Sequence, residues 1–504
     1  MHACVRARRA AWPRRAAAGR GGRGTTRNPR ADITTPGDYR LTSSAELIEI
    51  QMLMVYERAR RNPVRVITAG YYAASSSGYT LFFTSWVVAA AAAARGGASS
   101  MRRGSDIPAR NHGVYPVFWS VDGPGSNWGI PPNNTVFNAG GKADIERFGI
   151  NPNNWTVCGD LTSGWRYSFP ELTQESDGSL TPMFGGVPQA SNLSAFLSSL
   201  HHQVTQKIPD PQWAGLAVFD FEAWRPVWED APEMYRNYSV QLVAKAHPAW
   251  NLTQVRHRAQ VEFEAAGTTM YVSALKHAAA MRPRALWGFY GMPSLIHANF
   301  TRVMESVVKM QTIWQSSGAI YPSIYLSAAT KNHSARRHRV SSIVRLGVAT
   351  ANLVASEGRR RLPVYPFAWE LYHNGSTLLP HDDAVTELLS PYNSGADGLV
   401  IWGSTRTRRT TGRPIFPAQG GANMSKYFGY VQNSTGPLIA SFERRIAACS
   451  VAKCSGHGRC NMVKLEPHER SINYGLGSQQ PACSCFDGFA GAHCESTTLV
   501  TRAL

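Results

Sequence analysis

Residues Gly215-Leu-Ala-Val-Phe-Asp-Phe-Glu-Ala-Trp-Arg-Pro226 contain the pattern that decides both the fold and the site. The apolar run Leu216–Phe219 predicts a short, buried strand. Side chains of a strand alternate between its two faces, so Asp220 and Glu222 are expected to project side by side where the strand ends. Two adjacent carboxylates raise each other's cost of ionisation, and a strand end that carries them therefore has a specific reason to do so.

Two interpretations of this carboxylate pair are open on the stretch alone. The structural one is an ion pair between one of the acids and Arg225. The functional one is a carbohydrate-cleaving site, because the pair lies beside Trp224 and Arg225 at the carboxyl end of a strand. Pro226 ends any regular strand pairing directly afterwards.

Strand-like and helix-like segments alternate along the body of the chain, from about residue 111 onward. This alternation predicts a parallel sheet, and over about 330 residues a closed barrel accounts for it best. The active site of such a barrel lies at the carboxyl ends of its strands. The strand candidates are 114–121, 216–221, 286–290, 319–326, 363–369 and 398–402, and the helix candidates are 191–206, 231–248, 253–281, 301–316, 336–356 and 381–391.

Several of these strands end in aromatic residues, which suits sugar rings because they offer apolar faces and hydroxyl edges. For each aromatic residue taken alone, core packing is the alternative. The strand-end aromatics are Trp119, Tyr290, Tyr325 and Trp402.

The formal net charge of +19 over 504 residues is concentrated at the amino terminus. Residues 1–110 contain 18 Arg, no Lys and 6 acidic residues, so about +12 of this charge lies there. A basic body suits an anionic partner, and nucleic acid is the obvious one. Because the sequence contains no helix-turn-helix, zinc-finger or RNA-binding signature, we expect no nucleic-acid partner.

The amino-terminal part is predicted to be a leader in two sections. Residues 1–69 are basic and of low complexity, and we expect them to be disordered. Residues 70–95 contain an apolar run with the length of a signal peptide. Since residues 70–94 carry no charge, a signal anchor stays open, and a membrane is a partner only if this segment remains uncleaved.

Cysteine usage and glycosylation triplets indicate the secretory pathway. Six of the eight Cys fall between residues 449 and 494, which is the density of a disulfide-bonded module. We therefore expect a secreted or lysosomal protein, or a membrane-anchored one, with no cofactor and no metal. The ten Asn-x-Ser/Thr triplets begin at Asn133, Asn154, Asn192, Asn237, Asn251, Asn299, Asn332, Asn374, Asn423 and Asn433.

Two basic clusters follow predicted strand ends, Arg336–Arg339 and Arg406–Arg413. Charge runs usually lie on a solvated surface. Their predicted position at the rim of a barrel site leaves an anionic substrate open as the alternative.

Residues 446–497 resemble an EGF-like module. The spacing is Cys449-x4-Cys454 with Cys460, followed by Cys483-x-Cys485-x8-Cys494. A zinc site is the alternative for such a cluster, but the spacing and the secretory context make it the weaker reading. The resemblance implies the disulfide bonds Cys449–Cys460, Cys454–Cys483 and Cys485–Cys494.

Seven segments, in the same order along the chain, resemble the animal hyaluronidases. The resemblance implies an α/β fold with a distorted (β/α) TIM-like barrel over residues 111–445, followed by the EGF-like module. It implies an endo-β-N-acetylhexosaminidase that hydrolyses β-1,4 bonds of hyaluronan or chondroitin, both anionic glycosaminoglycans. The segments are Tyr115–Trp119, Phe184–Gln189, Gly215–Pro226, Leu286–Gly291, Tyr321–Tyr325, Gly398–Trp402 and Cys454–Cys460.

The resemblance also implies a retaining mechanism, in which the substrate's own N-acetyl oxygen attacks the anomeric carbon. Glu222 matches the general acid/base of the family. Asp220 matches the residue that shares a proton with it and supports the acetamido group, and burial of the pair would help Glu222 to keep its proton. The matches to substrate-binding positions are Arg225, Ser323, Tyr325 and Trp402.

The chain departs from the family pattern around this pair. Gly159 stands where the family has a tyrosine, and His373 stands where it has an acid. After Pro293, a loop with a further site tyrosine and a disulfide bond is missing. Ser126–Trp128 lacks the Cys of a second disulfide bond. The chain thus keeps the matched general acid/base Glu222 but lacks several residues that the family uses around the substrate.

Three functions are compatible with these observations. The first is an endo-β-N-acetylhexosaminidase, favoured by the retained carboxylate pair and aromatic residues. The second is a catalytically weak or inactive, hyaluronidase-like protein that binds glycosaminoglycans, favoured by the departures. The third is a chitinase-like enzyme, which matches only the Asp-x-Glu, because Gly215 and Val218 occupy positions where that signature needs further acids.

Overall fold

A computed structural model describes residues 115–122, 150–151, 155–158, 169–297, 299–356, 358–373, 377–404, 427, 429–461, 483–486 and 488–498. The predicted leader 1–69, the predicted signal segment 70–95 and the second basic cluster, Arg406–Arg413, lie outside these residues, as do Gly159 and Ser126–Trp128. Within the described residues, no helix combines the length and the apolar character needed to cross a bilayer.

Strands and helices alternate along the body of the chain, as the hydrophobic pattern predicts. The strands are β1 Val117–Asp122, β2 Ile150–Asn151, β3 Trp155–Cys158, β4 Glu171–Gln174, β5 Leu180–Met183, β6 Leu216–Phe219, β7 Leu286–Phe289, β8 Phe367–Ala368, β9 Leu399–Ser404, β10 Gly458–Cys460, β11 Cys483–Cys485, β12 Phe489–Ala490 and β13 Ser496–Thr497. The helices are α1 Leu193–Lys207, α2 Glu233–Ala246, α3 Leu252–Met281, α4 Phe300–Lys309, α5 Gln311–Ser316, α6 His333–Ala355, α7 His381–Asn393 and α8 Gly436–Lys453.

The parallel strands form one continuous series. The strands β2, β1, β9 and β8 pair in that order, and β3, β6 and β7 form a second parallel group. Residues 320–323 join the two groups through parallel bridges from Tyr321 to Tyr290 and from Ser323 to Phe367. Because β2 and β3 are separated only by residues 152–154, the two ends of the series meet, which is the arrangement of a distorted barrel.

The interior of this barrel is filled by side chains. Leu216 and Val218 of β6 pack there with Phe118 of β1 and with residues of β8 and β9. The strand β7 comes very close to the next segment at Gly288, where an added Cβ would lie 2.4 Å from the Ala319 carbonyl oxygen. The barrel is therefore a packed core, and any site has to lie at its ends.

Four helices begin at asparagines of the glycosylation triplets. The Asn251 side chain accepts the backbone N–H of Gln254, and the Gln254 side chain accepts that of Asn251, both at 3.0 Å, so α3 begins with a capping box. The side-chain oxygens of Asn192, Asn299 and Asn332 accept backbone N–H groups at the starts of α1, α4 and α6. All four asparagines are exposed.

The carboxyl-terminal module packs directly on the barrel. Helix α8 runs without a break through the predicted boundary at residues 445–446. Arg459 donates to the backbone carbonyls of Tyr392 and Ala396, and its guanidinium lies 4.7 Å from the centre of the Tyr392 ring. The structure contains the three disulfide bonds that the resemblance implies, Cys449–Cys460, Cys454–Cys483 and Cys485–Cys494.

The segments after β7 are less regular than the sequence suggests. The predicted strand 319–326 forms only isolated bridges, and the predicted strand 363–369 reduces to Phe367–Ala368. The predicted helix 301–316 is divided at Met310 into α4 and α5. The sequence identifies the right segments, but irregular pairing on this side of the barrel lies beyond a pattern of apolar residues.

Candidate active site

Asp220 and Glu222 continue the inward-facing series of β6. Leu216 and Val218 point into the barrel interior, whereas Phe219 belongs to the core between barrel and helices. Phe221 points outward in the same way and stacks on Phe169 at 4.2 Å between ring centres. The alternation therefore places the two carboxylates on the interior side at the carboxyl end of β6, as the i, i+2 spacing predicts.

Two tyrosines face this pair. Tyr290 follows β7 and Tyr325 follows the segment 320–323, and their ring centres lie 6.1 Å apart. Burial is the largest cause that raises the pKa of each phenol, and the negative charges of Glu222 and Asp220 raise both further. Since the interaction of two charges weakens with distance and is screened by salt, an effect of both acids on both phenols indicates that the four groups share one site.

Ser323 is held in place by one of these two tyrosines. The Tyr290 hydroxyl donates to the Ser323 Oγ at 3.0 Å. Ser323 is only partly buried, so its hydroxyl lies where a ligand would meet it.

Aromatic rings line the barrel end beside the acids. We call Tyr290, Tyr325, Trp369 and Trp402 the aromatic cradle. Tyr325 stacks on Trp402 at 5.9 Å with an interplanar angle of 27°, and Trp369 meets Trp402 edge-on at 5.2 Å. Trp369 is fully buried and supports the other rings, whereas Tyr325 and Trp402 remain partly exposed. Flat rings of this kind suit the apolar face of a sugar.

His373 lies at the edge of the aromatic cradle. Its exposed ring is centred 6.3 Å from that of Tyr325 and 6.5 Å from that of Trp369. The backbone N–H of His373 donates to the Leu326 carbonyl at 2.7 Å, which fixes the start of the loop that follows β8.

Arg225 holds two strand ends together. Its guanidinium donates to the backbone carbonyls of Phe221 at 2.6 Å and Tyr290 at 3.4 Å. Gly291 leaves room for it, because a Cβ there would lie 3.2 Å from the Arg225 Nη2. These contacts position the residues between the two carboxylates and after β7.

Trp224 belongs to the core, although it follows the acids directly. Its side chain is fully buried, and its Nε1 donates to the Pro170 carbonyl at 2.8 Å. Its ring meets those of Phe221, Phe263 and Tyr271 at 5.2, 5.6 and 5.6 Å. Trp224 therefore supports the acid-bearing segment from behind.

The first basic cluster is not a uniform rim around the site. The Arg336 Nε lies 2.8 Å from Oδ2 of Asp383, a carboxylate with 0% exposure, and Tyr372 donates to the same carboxylate at 2.5 Å. Arg336 is thus the partner that a buried charge requires. The expectation of a rim for an anionic substrate fails for this residue.

A cluster of three buried acids lies behind the aromatic cradle, between the end of β8 and α7. Glu370 is 5% exposed and accepts the hydroxyls of Tyr427 at 2.6 Å and Thr435 at 2.5 Å. Glu387 is 4% exposed and accepts the Trp369 backbone N–H at 3.2 Å. Asp383 pairs with Arg336, as described above. Burial raises the pKa of Glu370 and Glu387 above the ordinary value of 4.5.

The stability of the protein should fall as the pH rises from mildly acidic to neutral. Burial also raises the pKa of Glu443 from 4.5 to about 8. A carboxyl with a raised folded-state pKa contributes stability that is complete below its unfolded pKa and is lost as the pH rises through the folded value. Thermal unfolding between pH 4.5 and 8 should show a Tm that falls by several degrees. The fall should be smaller in Glu443→Gln, and an unchanged Tm in the wild type would contradict the prediction.

Sequence reasoning brought together Asp220, Glu222, Ser323, Tyr325 and Trp402, and the structure places all five at one end of the barrel. It named Tyr290 only as a strand-end aromatic residue, without a site role, and it passed over Trp369. The available signal was position, because both residues follow a strand as Tyr325 does. The burial of Asp383 and Glu387 could not be predicted from their positions, since a carboxylate on an amphipathic helix usually faces water.

Comparison with known proteins agrees with this geometry. The family model described as Glyco_hydro_56, Hyaluronidase, matches residues 127–474. Hyaluronidase-1 of Homo sapiens is 32% identical over 372 residues, which cover 68% of this chain and 80% of that protein. Hyaluronidase-2 of Mus musculus is 29% identical over 351 residues, which cover 66% of this chain and 71% of that protein.

Solved structures show the same relationship. The crystal structure of bee venom hyaluronidase superimposes with a TM-score of 0.52 and 25% identity, over 65% of this chain and 99% of that one. The same enzyme in complex with a hyaluronic acid tetramer gives a TM-score of 0.51 and 26% identity, over 64% and 98%. The chain therefore belongs to the hyaluronidase family and is a glycosidase.

Proposed function

We propose that the protein hydrolyses the β-1,4 N-acetylhexosaminide bonds of hyaluronan in the interior of the polymer. One observation carries this proposal: Asp220 and Glu222 face an aromatic cradle at the carboxyl end of the barrel. The acids supply proton transfer and the rings supply a surface for a sugar. The bee venom relative was crystallised with a hyaluronic acid tetramer, which supports the substrate class.

In the proposed mechanism, Glu222 is the general acid and then the general base. The carbonyl oxygen of the substrate's N-acetyl group attacks the anomeric carbon while Glu222 donates its proton to the leaving oxygen. A water molecule then opens the cyclic intermediate, and Glu222 takes its proton. Two displacements at one carbon retain the β-configuration. Asp220 supports the acetamido group, which becomes positively charged as it attacks.

Ser323, Tyr325 and Trp402 are proposed to hold the reacting sugar. Tyr325 and Trp402 lie against each other and are partly exposed, so a sugar can pack against the exposed parts of their rings. Arg225 contributes by position, because it ties the carbonyl next to Glu222 to the carbonyl of Tyr290. We include Tyr290 in the site, since its phenol lies within the field of both acids.

Replacing His373 by Asp should raise the KM for hyaluronan. The substrate is a polyanion, and a carboxylate at the edge of the aromatic cradle would repel it. Two unit charges about 4 Å apart in water interact by about 1 kcal/mol, so we expect a rise in KM of roughly fivefold that salt reduces. Steady-state kinetics at two ionic strengths measure this. His373→Asn is the control and should change KM less; equal KM values for Asp and Asn would disprove the effect.

A second candidate function is glycosaminoglycan binding with weak turnover, or cleavage of chondroitin. The short connection from Tyr290 to Asn299 favours it, since the family places a further site tyrosine there. Digestion of hyaluronan and chondroitin, with product sizing, separates these functions. Hyaluronan cleavage supports the first proposal, chondroitin cleavage alone changes the substrate, and binding without cleavage supports the second.

We propose that the protein passes through the secretory pathway to the cell exterior or the lysosome. Three disulfide bonds and exposed triplet asparagines support this route. Treatment of the secreted protein with a glycan-removing enzyme tests it. A loss of apparent mass is expected, and an unchanged mass would contradict it.

A further inference from the structure

One buried carboxyl outside the Asp220–Glu222 pair holds the aromatic cradle from behind. Glu387 lies on α7, and its Oε2 accepts the backbone N–H of Trp369 at 3.2 Å. The backbone N–H of Leu326 lies near the same carboxyl and acts to lower its pKa. Trp369 is itself part of the cradle, and Leu326 directly follows Tyr325. One side chain therefore lies against the backbone beneath two cradle rings.

This bond replaces strand pairing at the point where the sheet stops. Ser323 bridges Phe367, and the Ile324 N–H donates to the Phe367 carbonyl at 3.0 Å. The strand β8 then ends at Ala368. Beyond this point the Trp369 N–H needs another acceptor, because buried backbone donors are almost always paired. Glu387 is that acceptor.

The surroundings of Glu387 favour its uncharged form. Burial raises its pKa well above the ordinary value, and the nearby charges of Glu370 and Asp383 raise it further, although the backbone N–H groups of Trp369 and Leu326 act in the opposite direction. Among the described residues, its Oε1 has no hydrogen-bond partner. The titratable groups around it are Glu370 and Tyr372 after β8, Asp383 on α7, Arg336 and His333 on α6, and Tyr427 and Tyr430 before α8.

We propose that Glu387 is a positioning residue for substrate binding: it accepts the backbone N–H of Trp369 and so fixes the ring that supports Tyr325 and Trp402. The inference rests on the proposed function of the site. It adds a residue that neither touches the sugar nor transfers a proton. Ionisation of Glu387 beside Glu370 and Asp383 would push the carboxylates apart. Substrate binding is therefore expected to weaken as the pH rises, through loosening of the cradle.

Three variants test the proposal. Glu387→Met removes the acceptor and puts an apolar side chain of similar length in its place, so the buried N–H of Trp369 loses its partner. Glu387→Gln keeps a carbonyl oxygen and carries no charge at any pH. Glu443→Gln neutralises another buried carboxyl, on α8, and serves as the matched control for a general effect on stability.

We expect Glu387→Met to raise the KM for hyaluronan about tenfold, with kcat changed less than about threefold, because an unpaired buried N–H group is costly. Glu387→Gln should keep the wild-type KM at acidic pH and should lack the rise in KM that the wild type shows toward neutral pH. Glu443→Gln should follow the wild type in KM at every pH. The proposal is overturned if Glu387→Met keeps the wild-type KM, if Glu387→Gln fails to rescue it, or if Glu443→Gln changes KM to the same extent.

A binding measurement separates this inference from the proposed function. The dissociation constant of a hyaluronan hexasaccharide is measured in a Glu222→Gln background, with and without Glu387→Met. If the wild type fails to cleave hyaluronan but Glu387→Met still weakens binding of the hexasaccharide, the proposed hydrolysis is wrong and the positioning role of Glu387 stands. If the wild type cleaves and Glu387→Met binds normally, only the positioning role is wrong.

Discussion

Glu222→Gln should reduce hyaluronan cleavage by roughly 10²–10⁴-fold, which is the range for removal of a general acid. Gln has nearly the shape of Glu but holds no transferable proton, so the leaving oxygen would depart as an unprotonated alkoxide. The loss should appear in kcat, because the substrate still binds to the aromatic cradle. Reducing-end assays over a range of acidic pH measure it.

A comparison with Asp220→Asn assigns the two carboxylates. If Asp220 supports the acetamido group, Asp220→Asn should also lower kcat, since that support acts as charge develops. Tm should stay near the wild-type value in both variants, because both side chains are only half-buried. Turnover by Glu222→Gln at the wild-type rate would show that Glu222 is not the proton donor.

Trp224→Ala should lower the free energy of unfolding by about 3–5 kcal/mol, the usual cost of removing a buried Trp. The ring is fully buried between Phe221, Phe263 and Tyr271, and its Nε1 bonds to the Pro170 carbonyl. The truncation leaves a cavity and an unpaired carbonyl behind the acid-bearing segment. Urea unfolding measures the change.

The matched substitution in the aromatic cradle should affect substrate binding more than stability. Trp402→Ala removes a partly exposed ring, so it should raise KM and change the free energy of unfolding much less than Trp224→Ala does. Unfolding free energies that fall equally in the two variants would mean that Trp402 is a core residue. An unchanged free energy of unfolding in Trp224→Ala would contradict the structural role assigned to Trp224.

The sequence predicted the location of the site through strand parity. Leu216 and Val218 fill the barrel interior, so the even-numbered Asp220 and Glu222 had to point the same way. Local alternation is a property of the backbone and can be read from a few residues. Helix starts were equally local, since the side chain of Asn251 or Asn332 caps its own helix.

Features that depend on distant residues were not predictable in the same way. Arg336 was interpreted either as surface charge or as part of a rim for an anionic substrate, and its partner Asp383 lies 47 residues later on α7. Trp224 is adjacent to the acids in sequence but packs against α3. In the sequence, Glu387 is one of several acids on a predicted helix. Only the fold places Leu326 and Trp369, at the ends of two irregular segments, next to it. Each of these contacts is set by how the barrel closes.

The stereochemistry of the first product tests the central claim most directly. Wild-type protein is mixed with hyaluronan, and proton NMR follows the anomeric signals from the first minutes of cleavage. The proposed mechanism predicts that the new reducing end is an N-acetylhexosamine that appears first as the β-anomer, before mutarotation. Initial appearance of the α-anomer, or a uronic acid at the new reducing end, would contradict substrate-assisted hydrolysis by Asp220 and Glu222.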